Sequence, residues 1–192
     1  GFFPFRIERM IPLPEEVSLV IANSHVRAAK SAGARDTFNQ RVACYRLSEM
    51  LLRKRVAFLK GMQHLRDVNG TALGVAPAEI YRAIKRLPLS VTRARAGSLL
   101  EEGPQELEEV FATHRNIGPY RLREVTMYGV SECIRSDMFA GLLEQGLLED
   151  VGLLMRISHD GDRVVRWRDG QAVRHRVDTS DARLDRLARQ TN

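Results

Sequence analysis

The stretch Val17-Ser18-Leu19-Val20-Ile21-Ala22-Asn23-Ser24, continued by Ser31-Ala32-Gly33-Ala34-Arg35 and Phe38-Asn39-Gln40-Arg41, carries the most structural information in the chain. Val17 to Ala22 is a short apolar run with β-branched members, bounded by Pro14 and by Asn23-Ser24, the pattern of a strand inside a sheet. Ser31 to Arg35 reads as a small-residue loop. From Asp36 onward, Phe38, Val42, Tyr45, Leu52, Val56 and Leu59 recur at spacings of four and three, or seven where Glu49 interrupts. This period puts them on one face of a helix, with Asp36 or Thr37 as its N-cap. The reading is therefore strand, loop, helix.

Outward from this stretch, helices are expected over 36–60, 77–86, 105–113, 120–145 and 147–158, with Pro77, Gly103-Pro104 and Gly118-Pro119 punctuating their starts. Phe5 to Leu13 reads as extended. Segment 61–74, with Gly61, Asn69-Gly70 and Gly74, reads as a mobile loop. Arg163 to Arg176 alternates apolar and basic residues around Asp169-Gly170, the signature of a hairpin with one wet face. A last helix is expected near 180–190. No internal repeat or low-complexity linker divides the chain.

The 192 residues, 44% of them hydrophobic, suffice for one sizeable core. The two cysteines, Cys44 and Cys133, make neither a disulfide framework nor a metal-ligand spacing and read as small buried hydrophobes, consistent with a reducing cytoplasm. No apolar run approaches a membrane span of about 20 residues. The net charge of +6 is almost all arginine, lysine occurring only at positions 30, 54, 60 and 85. A nucleic-acid reading would set the arginines of 163–176 on phosphates and stack bases on Trp167. A solvated hairpin is the favoured reading, so no nucleic-acid partner is expected.

Several short motifs carry a resemblance. Asn23-Ser24 closing a strand, followed by a helix that opens Phe38-Asn39-Gln40-Arg41-Val42-Ala43-Cys44, resembles the galactokinase branch of the GHMP kinases, where the helix reads close to Tyr-Asn-x-Arg-Arg-x-x-Cys. Here the second Arg is Val42 and the Cys sits one place early. Leu65-Arg66-Asp67-Val68 is similar to a Leu-Arg-Asp-Val element of that family. Glu132-Cys133-Ile134-Arg135 is similar to the end of its Arg-x-Arg-His-x-x-x-Glu-x-x-Arg helix, with Met127 and Tyr128 where Arg and His are expected. Leu154-Met155-Arg156-Ile157-Ser158-His159 is similar to its Leu-Met-x-x-Ser-His. Four weak motifs in the family's order make a moderately specific signal.

The resemblance implies an α+β fold, the incomplete C-terminal domain of a two-domain kinase, mostly helices packed on a small antiparallel sheet. Residues 1–16 would be the edge of the N-terminal domain and 17–192 the truncated C-terminal domain. The family's Pro-x-x-x-Gly-Leu-x-Ser-Ser-Ser phosphate loop, its Met-Asp-Gln segment and its Gly-rich third motif do not occur in these residues. An interior piece of a longer kinase is thus expected, inactive alone, with ATP and Mg2+ held mainly by an upstream part. The implied reaction is transfer of the ATP γ-phosphoryl group to a hydroxyl of galactose or a related sugar.

Phe38, Asn39 and Arg41 are the implied sugar-binding residues. Asn23, Ser24, Glu132, Arg135, Ser158 and His159 are further family-motif positions, and no catalytic or metal-ligating residue is assigned within the chain. Phe38 lacks the hydroxyl that the family's aromatic offers a sugar, which keeps other acceptors open, a sugar acid or an isoprenoid alcohol among them. Simpler readings stand beside these. Phe38 heads an apolar stripe and is read as core before ligand contact, and Asn39 and Arg41 as capping and solvating the helix start. Ser158-His159-Asp160 are adjacent and cannot point at one another as a triad requires. A basic helical module binding nucleic acid remains the alternative outside the kinases.

Overall fold

The computed structural model describes residues 7, 10–23, 25, 32–100, 104–161 and 165–191. Eight α-helices and one two-stranded antiparallel sheet are found among them: α1 (Ala32–Arg55), α2 (Gly70–Leu73), α3 (Pro77–Lys85), α4 (Arg93–Leu100), α5 (Pro104–Ala112), α6 (Leu122–Glu144), α7 (Leu148–Gly161), β1 (Val165–Arg168), β2 (Gln171–Arg174) and α8 (Asp181–Gln190). At this level the chain is α+β and mostly helical. Among the described residues no helix is long and apolar enough to cross a membrane.

The core forms around α1. Ala43, Cys44, Leu47, Leu51 and Leu52 of that helix are buried with Leu59, Leu87, Tyr120, Leu122 and Leu184, each from a different later segment or its neighbour. The helix ends in Arg53-Lys54-Arg55, cations where the helix dipole favours them. Lys54 Nζ donates to the Leu99 carbonyl (3.3 Å) and Arg55 Nη1 to the Arg86 carbonyl (2.8 Å). The two long helices α1 and α6 meet at Gly129, where an added Cβ would lie 2.6 Å from Tyr45 Cε1 and 3.0 Å from Leu65 Cδ2. Only a residue without a side chain permits that approach.

Glu49, which breaks the apolar stripe of α1, is buried and fully engaged. Its Oε1 accepts from the Leu65 backbone N–H (2.8 Å) and its Oε2 pairs with Arg46 Nη1 (3.0 Å). Asp67 Oδ2 accepts from the N–H groups of Gln63 (2.8 Å) and His64 (2.9 Å), and Asn69 caps α2. Met62, Leu65 and Val68 are buried between these bonds. Segment 61–74 is therefore packed structure built on short 3-10 turns and α2, and not the loop its glycines suggest.

Arg123 of α6 is 7% exposed and joins the exit of α3 to the entry of α8. Its Nη2 donates to the Lys85 carbonyl (2.7 Å), its Nε to the Leu87 carbonyl, and its Nη1 to the Thr179 carbonyl (3.2 Å) and Asp181 Oδ1 (2.5 Å). The guanidinium bonded to Asp181 holds that carboxyl below the usual carboxylate range. Lys85 Nζ adds a pair to Asp185 (2.7 Å), so α3 and α8 are cross-linked along their contact.

Polar residues on the first half of α1 hold the α5–α6 connection. Asp36 accepts from Arg115 Nε (2.6 Å) and from the Arg115 backbone N–H (3.1 Å), which lowers its pKa, and Gln40 Nε2 donates to the Gly118 carbonyl (3.1 Å). Behind them, Thr113 Oγ1 donates to the Val110 carbonyl (2.9 Å) and so must accept from His114 Nδ1–H (2.8 Å). Arg93 Nε donates to the Tyr120 hydroxyl oxygen (2.9 Å), which in turn donates to His114 Nε2 (2.8 Å). This set of bonds places one proton on Nδ1 and none on Nε2, a neutral tautomer of His114. Burial, with Arg93 nearby, pushes the His114 pKa down from 6.5, in agreement.

Several expectations are corrected. Val17 to Ala22 is not a buried strand: it has no regular structure, and Val20 is 84% exposed. The run has strand composition but no partner backbone among the described residues. Ala32 to Arg35, read as loop, already belongs to α1, so Asp36 lies inside the helix and binds Arg115 instead of capping. α1 ends at Arg55, short of 60, and α4 was not anticipated. Of Phe5 to Leu13, the described residues 7 and 10–13 carry no regular structure, and the others lie outside the described residues. The hairpin stands at the expected place, with Arg168 opposite Gln171 and positive φ at Asp169 and Gly170, as a two-residue turn requires. Both of its faces are exposed, not one, and it contributes nothing to the core. The helices pack on one another and not on the sheet.

Two outcomes follow. Replacing Arg123 with Ala strands three buried carbonyls and Asp181, and costs about 3 kcal/mol, read in thermal unfolding as a melting temperature lower by about 10 °C; Arg123→Lys loses less. For His114, whose folded pKa is depressed, the stabilisation is full above the unfolded value of 6.5 and is lost as pH falls below it. Urea unfolding between about pH 7.5 and about pH 5 gives a stability loss in the wild type that His114→Gln reduces.

Candidate functional site

The later family-like motifs meet between α6 and α7. Glu132 Oε1 accepts from Arg135 Nε (2.7 Å), one helical turn on, while its Oε2 accepts from Ser158 Oγ (2.6 Å) on α7. The i, i+3 spacing puts both α6 residues on one face. A cavity of about 550 Å³ opens beside this network, lined by Tyr128, Glu132, Arg135, Phe139, Ser158 and the exposed His159 among others. His159 lies inside the last turn of α7, which extends to Gly161 rather than ending at 158.

Tyr128 also faces a second, larger cleft of about 880 Å³, bounded by α1, the start of α6 and the chain leaving β2. The Arg41 guanidinium stands 5.1 Å from the Tyr128 ring centroid, a cation–π arrangement that sets its direction. Gly161 also packs against the Tyr128 ring, since a Cβ there would approach Tyr128 Cδ2 to 3.2 Å. Arg41 from the first motif, Tyr128 from the third and Gly161 beyond the fourth thus share one contact region. Tyr128 stands where the resemblance leads His to be expected.

The cleft is rich in arginine. Arg41, Arg121, Arg174 and Arg176 line it, against the carboxylates Glu124 and Asp178. Glu124 is paired with Arg121 (3.3 Å), and Asp178 Oδ1 accepts from the Ser180 backbone N–H (2.9 Å), which lowers its pKa. Cys44 lies at the cleft floor near the Arg121 backbone N–H, and burial pushes its thiol up to about 12. It is therefore no nucleophile near neutral pH. Gln40 also lines the cleft; its amide is oriented by the two carbonyls it donates to, Gly118 and Pro119, and its Oε1 is a buried acceptor with no hydrogen-bond partner among the described residues.

The other expected site residues separate from this region. Phe38 is 66% exposed on α1, so it is not part of the core that its place in the stripe suggested. Asn39 Nδ2 donates to the Thr113 carbonyl (2.7 Å); because α1 already begins at Ala32, Asn39 ties the helix to the α5–α6 connection and does not cap its start. Asn23 is exposed and its Oδ1 accepts from the His25 backbone N–H (2.8 Å). Ser24 lies outside the described residues. Tyr128, Arg121, Arg174 and Arg176 were missed as site residues; the basic run of 163–176 was visible, but its approach to α1 and α6 depends on tertiary packing. Among the described residues no group of three or more His, Cys, Asp or Glu side chains is placed to hold a metal ion. Comparisons with protein-family models, with curated proteins and with solved structures find no match to this chain.

The Glu132–Ser158 bond couples α6 to α7. In a double-mutant cycle of Glu132→Ala and Ser158→Ala, urea unfolding gives a coupling energy of about 1–2 kcal/mol, as expected for a hydrogen bond to a charged acceptor.

Proposed function

We propose that this chain forms the acceptor-side wall of a GHMP-type sugar kinase of the galactokinase branch, acting in the cytoplasm, where Cys44 and Cys133 stay as free thiols. The observation that carries the reading is convergence: Glu132, Arg135 and Ser158, taken from two motifs of the resemblance, are bonded together, and Arg41 from a third stands on Tyr128 of the same helix. Residues dispersed over more than half the chain have no reason of composition to meet in this way.

In this reading ATP supplies the γ-phosphoryl group, Mg2+ neutralises charge on it, and both are held by a part of the kinase upstream of this chain. The contribution of the residues described here is positioning. Arg41, directed by the Tyr128 ring, offers a fixed fork of donors to an acceptor hydroxyl or an anionic substituent. Glu132, held between Arg135 and Ser158, keeps α6 and α7 in register beneath that wall. Phe38 adds an apolar surface but no hydroxyl, and this favours an acceptor other than galactose itself, a related sugar or a sugar acid.

Sequencing the coding DNA in frame on both sides of this chain comes first; a Gly-Leu-x-Ser-Ser-Ser loop and a Met-Asp-Gln-like segment upstream are the expected outcome. The full open reading frame is then assayed for ADP release over a panel of sugars and sugar acids. Turnover with one acceptor is expected, with Arg41→Ala raising KM for it by about tenfold and the 192-residue chain alone inactive. Absence of acceptor-dependent ADP release from the full protein would overturn the kinase reading.

A further inference from the structure

We propose that the cleft between α1, the N-terminal end of α6 and the chain following β2 binds a small molecule bearing an oxyanion, a carboxylate or a phosphate, through Arg174 and Arg176 with Arg41 and Arg121. The inference stands on the cleft alone and holds whether or not phosphoryl transfer follows binding.

Charge balance is the first argument. Four arginines face two carboxylates in the lining. Glu124 is paired with Arg121 and Asp178 is held by the Ser180 backbone N–H, and together the two carboxylates offset only part of the positive charge of the lining. Arg174 and Arg176 form no ion pair among the described residues. Self-repulsion of this kind is unfavourable unless an anion enters.

The second argument is geometry. The arginines come from three separate segments, 41 on α1, 121 at the start of α6, and 174 and 176 beyond the hairpin turn, and they converge only in the fold. Guanidinium groups present paired N–H donors that match the two oxygens of a carboxylate or phosphate, which ammonium groups do not. The positive end of the 23-residue helix α6 opens on the same cleft and adds to the potential. The third argument is size. About 880 Å³ falls in the range of small-molecule sites and exceeds what a bare phosphate fills, so the oxyanion belongs to a larger frame.

Isothermal titration of the 192-residue protein with glucuronate, glucose 6-phosphate and neutral glucose reads this directly. At least one anionic probe is expected to bind about tenfold or more tightly than glucose, with affinity falling as salt rises. Whichever of the two binds more tightly assigns the oxyanion as carboxylate or phosphate. The double variant Arg174→Ser/Arg176→Ser should lose that advantage. Arg166→Ser/Arg168→Ser, which removes the same charge from β1 of the same exposed hairpin but outside the cleft lining, should retain it. Equal binding of glucose and the anions, no binding of any probe, or equal losses in both double variants would overturn the proposal. Displacement of the bound sugar anion by a single-stranded oligonucleotide at lower concentration would also overturn it, and would assign the arginines to a nucleic-acid surface. Because no ATP is present, these outcomes are separate from failure of the kinase assay.

Discussion

Four acceptors from the exit of α3 and the entry of α8 converge on the guanidinium of Arg123, and the arrangement of the rest of the protein follows from that bond set. An arginine at this depth is tolerated only when its charge is met by acceptors, because an unpaired buried cation is costly, and Arg123 makes four bonds from its five N–H groups. Here the cost is met by backbone carbonyls, which sit where they do because α3 has ended and α8 has not begun. Helix ends leave carbonyls and amides without intrahelical partners. One side chain of α6 satisfies the carbonyls at one such end, and it fixes the chain entering another helix. The α3–α8 contact, reinforced by Lys85 and Asp185, is thereby indexed to α6.

α6 then transmits that placement to the candidate site. Two turns on from Arg123, Gly129 lets the helix approach Tyr45 of α1 closely, and on either side of it Tyr128 and Glu132 reach Arg41 and Ser158. The close approach and the two site contacts belong to a single turn of helix. A side chain at 129 would separate α1 from α6 and would move the Arg41–Tyr128 pair with them. Packing and site geometry are in this sense one constraint and not two.

How much of this was legible in the sequence depends on the kind of signal. Helices with an apolar period and a Pro or Gly boundary, α3, α5, α6 and α8, were placed to within about two residues, as local pattern allows. The hairpin was legible because Asp-Gly demands positive φ, a backbone property that needs no tertiary partner. The Val17–Ala22 run was misread because strand composition is only half of a strand, the other half being a neighbour to pair with. α4, with the sequence Arg-Ala-Arg-Ala-Gly-Ser-Leu-Leu, has too weak an apolar stripe to announce itself. Segment 61–74 was misread for the opposite reason: its glycines are conspicuous, whereas Glu49, which anchors it, stands sixteen residues away from Leu65 and looked like a flaw in a stripe. For the site, Glu132, Arg135 and Ser158 were marked by motif spacing, but Tyr128 and the cleft arginines were not, since no local pattern records which helix face a distant hairpin will meet.

The hairpin is the element that the core does not explain. A two-stranded ribbon is marginal by itself, and this one leaves Val165, Val173 and the 70%-exposed Trp167 in solvent. Its order must come from its root. Beyond β2 the chain runs through Arg176 and Val177 to Thr179, whose carbonyl Arg123 holds, and to Ser180, whose hydroxyl accepts the Arg183 N–H and caps α8. The root is therefore fixed by the same guanidinium that joins α3 to α8. From that anchor the strand can lead in only a narrow set of directions, and the one taken brings Arg174 and Arg176 into the lining of the cleft that Arg41 also borders. A solvated ribbon with no such purpose would gain by carrying fewer cations towards a cleft already lined by two, because like charges across a partly enclosed space repel more than they do in open water. The buried arginine and the arginines beyond the hairpin are linked through this short run of chain: the first fixes the root from which Arg174 and Arg176 enter the cleft lining.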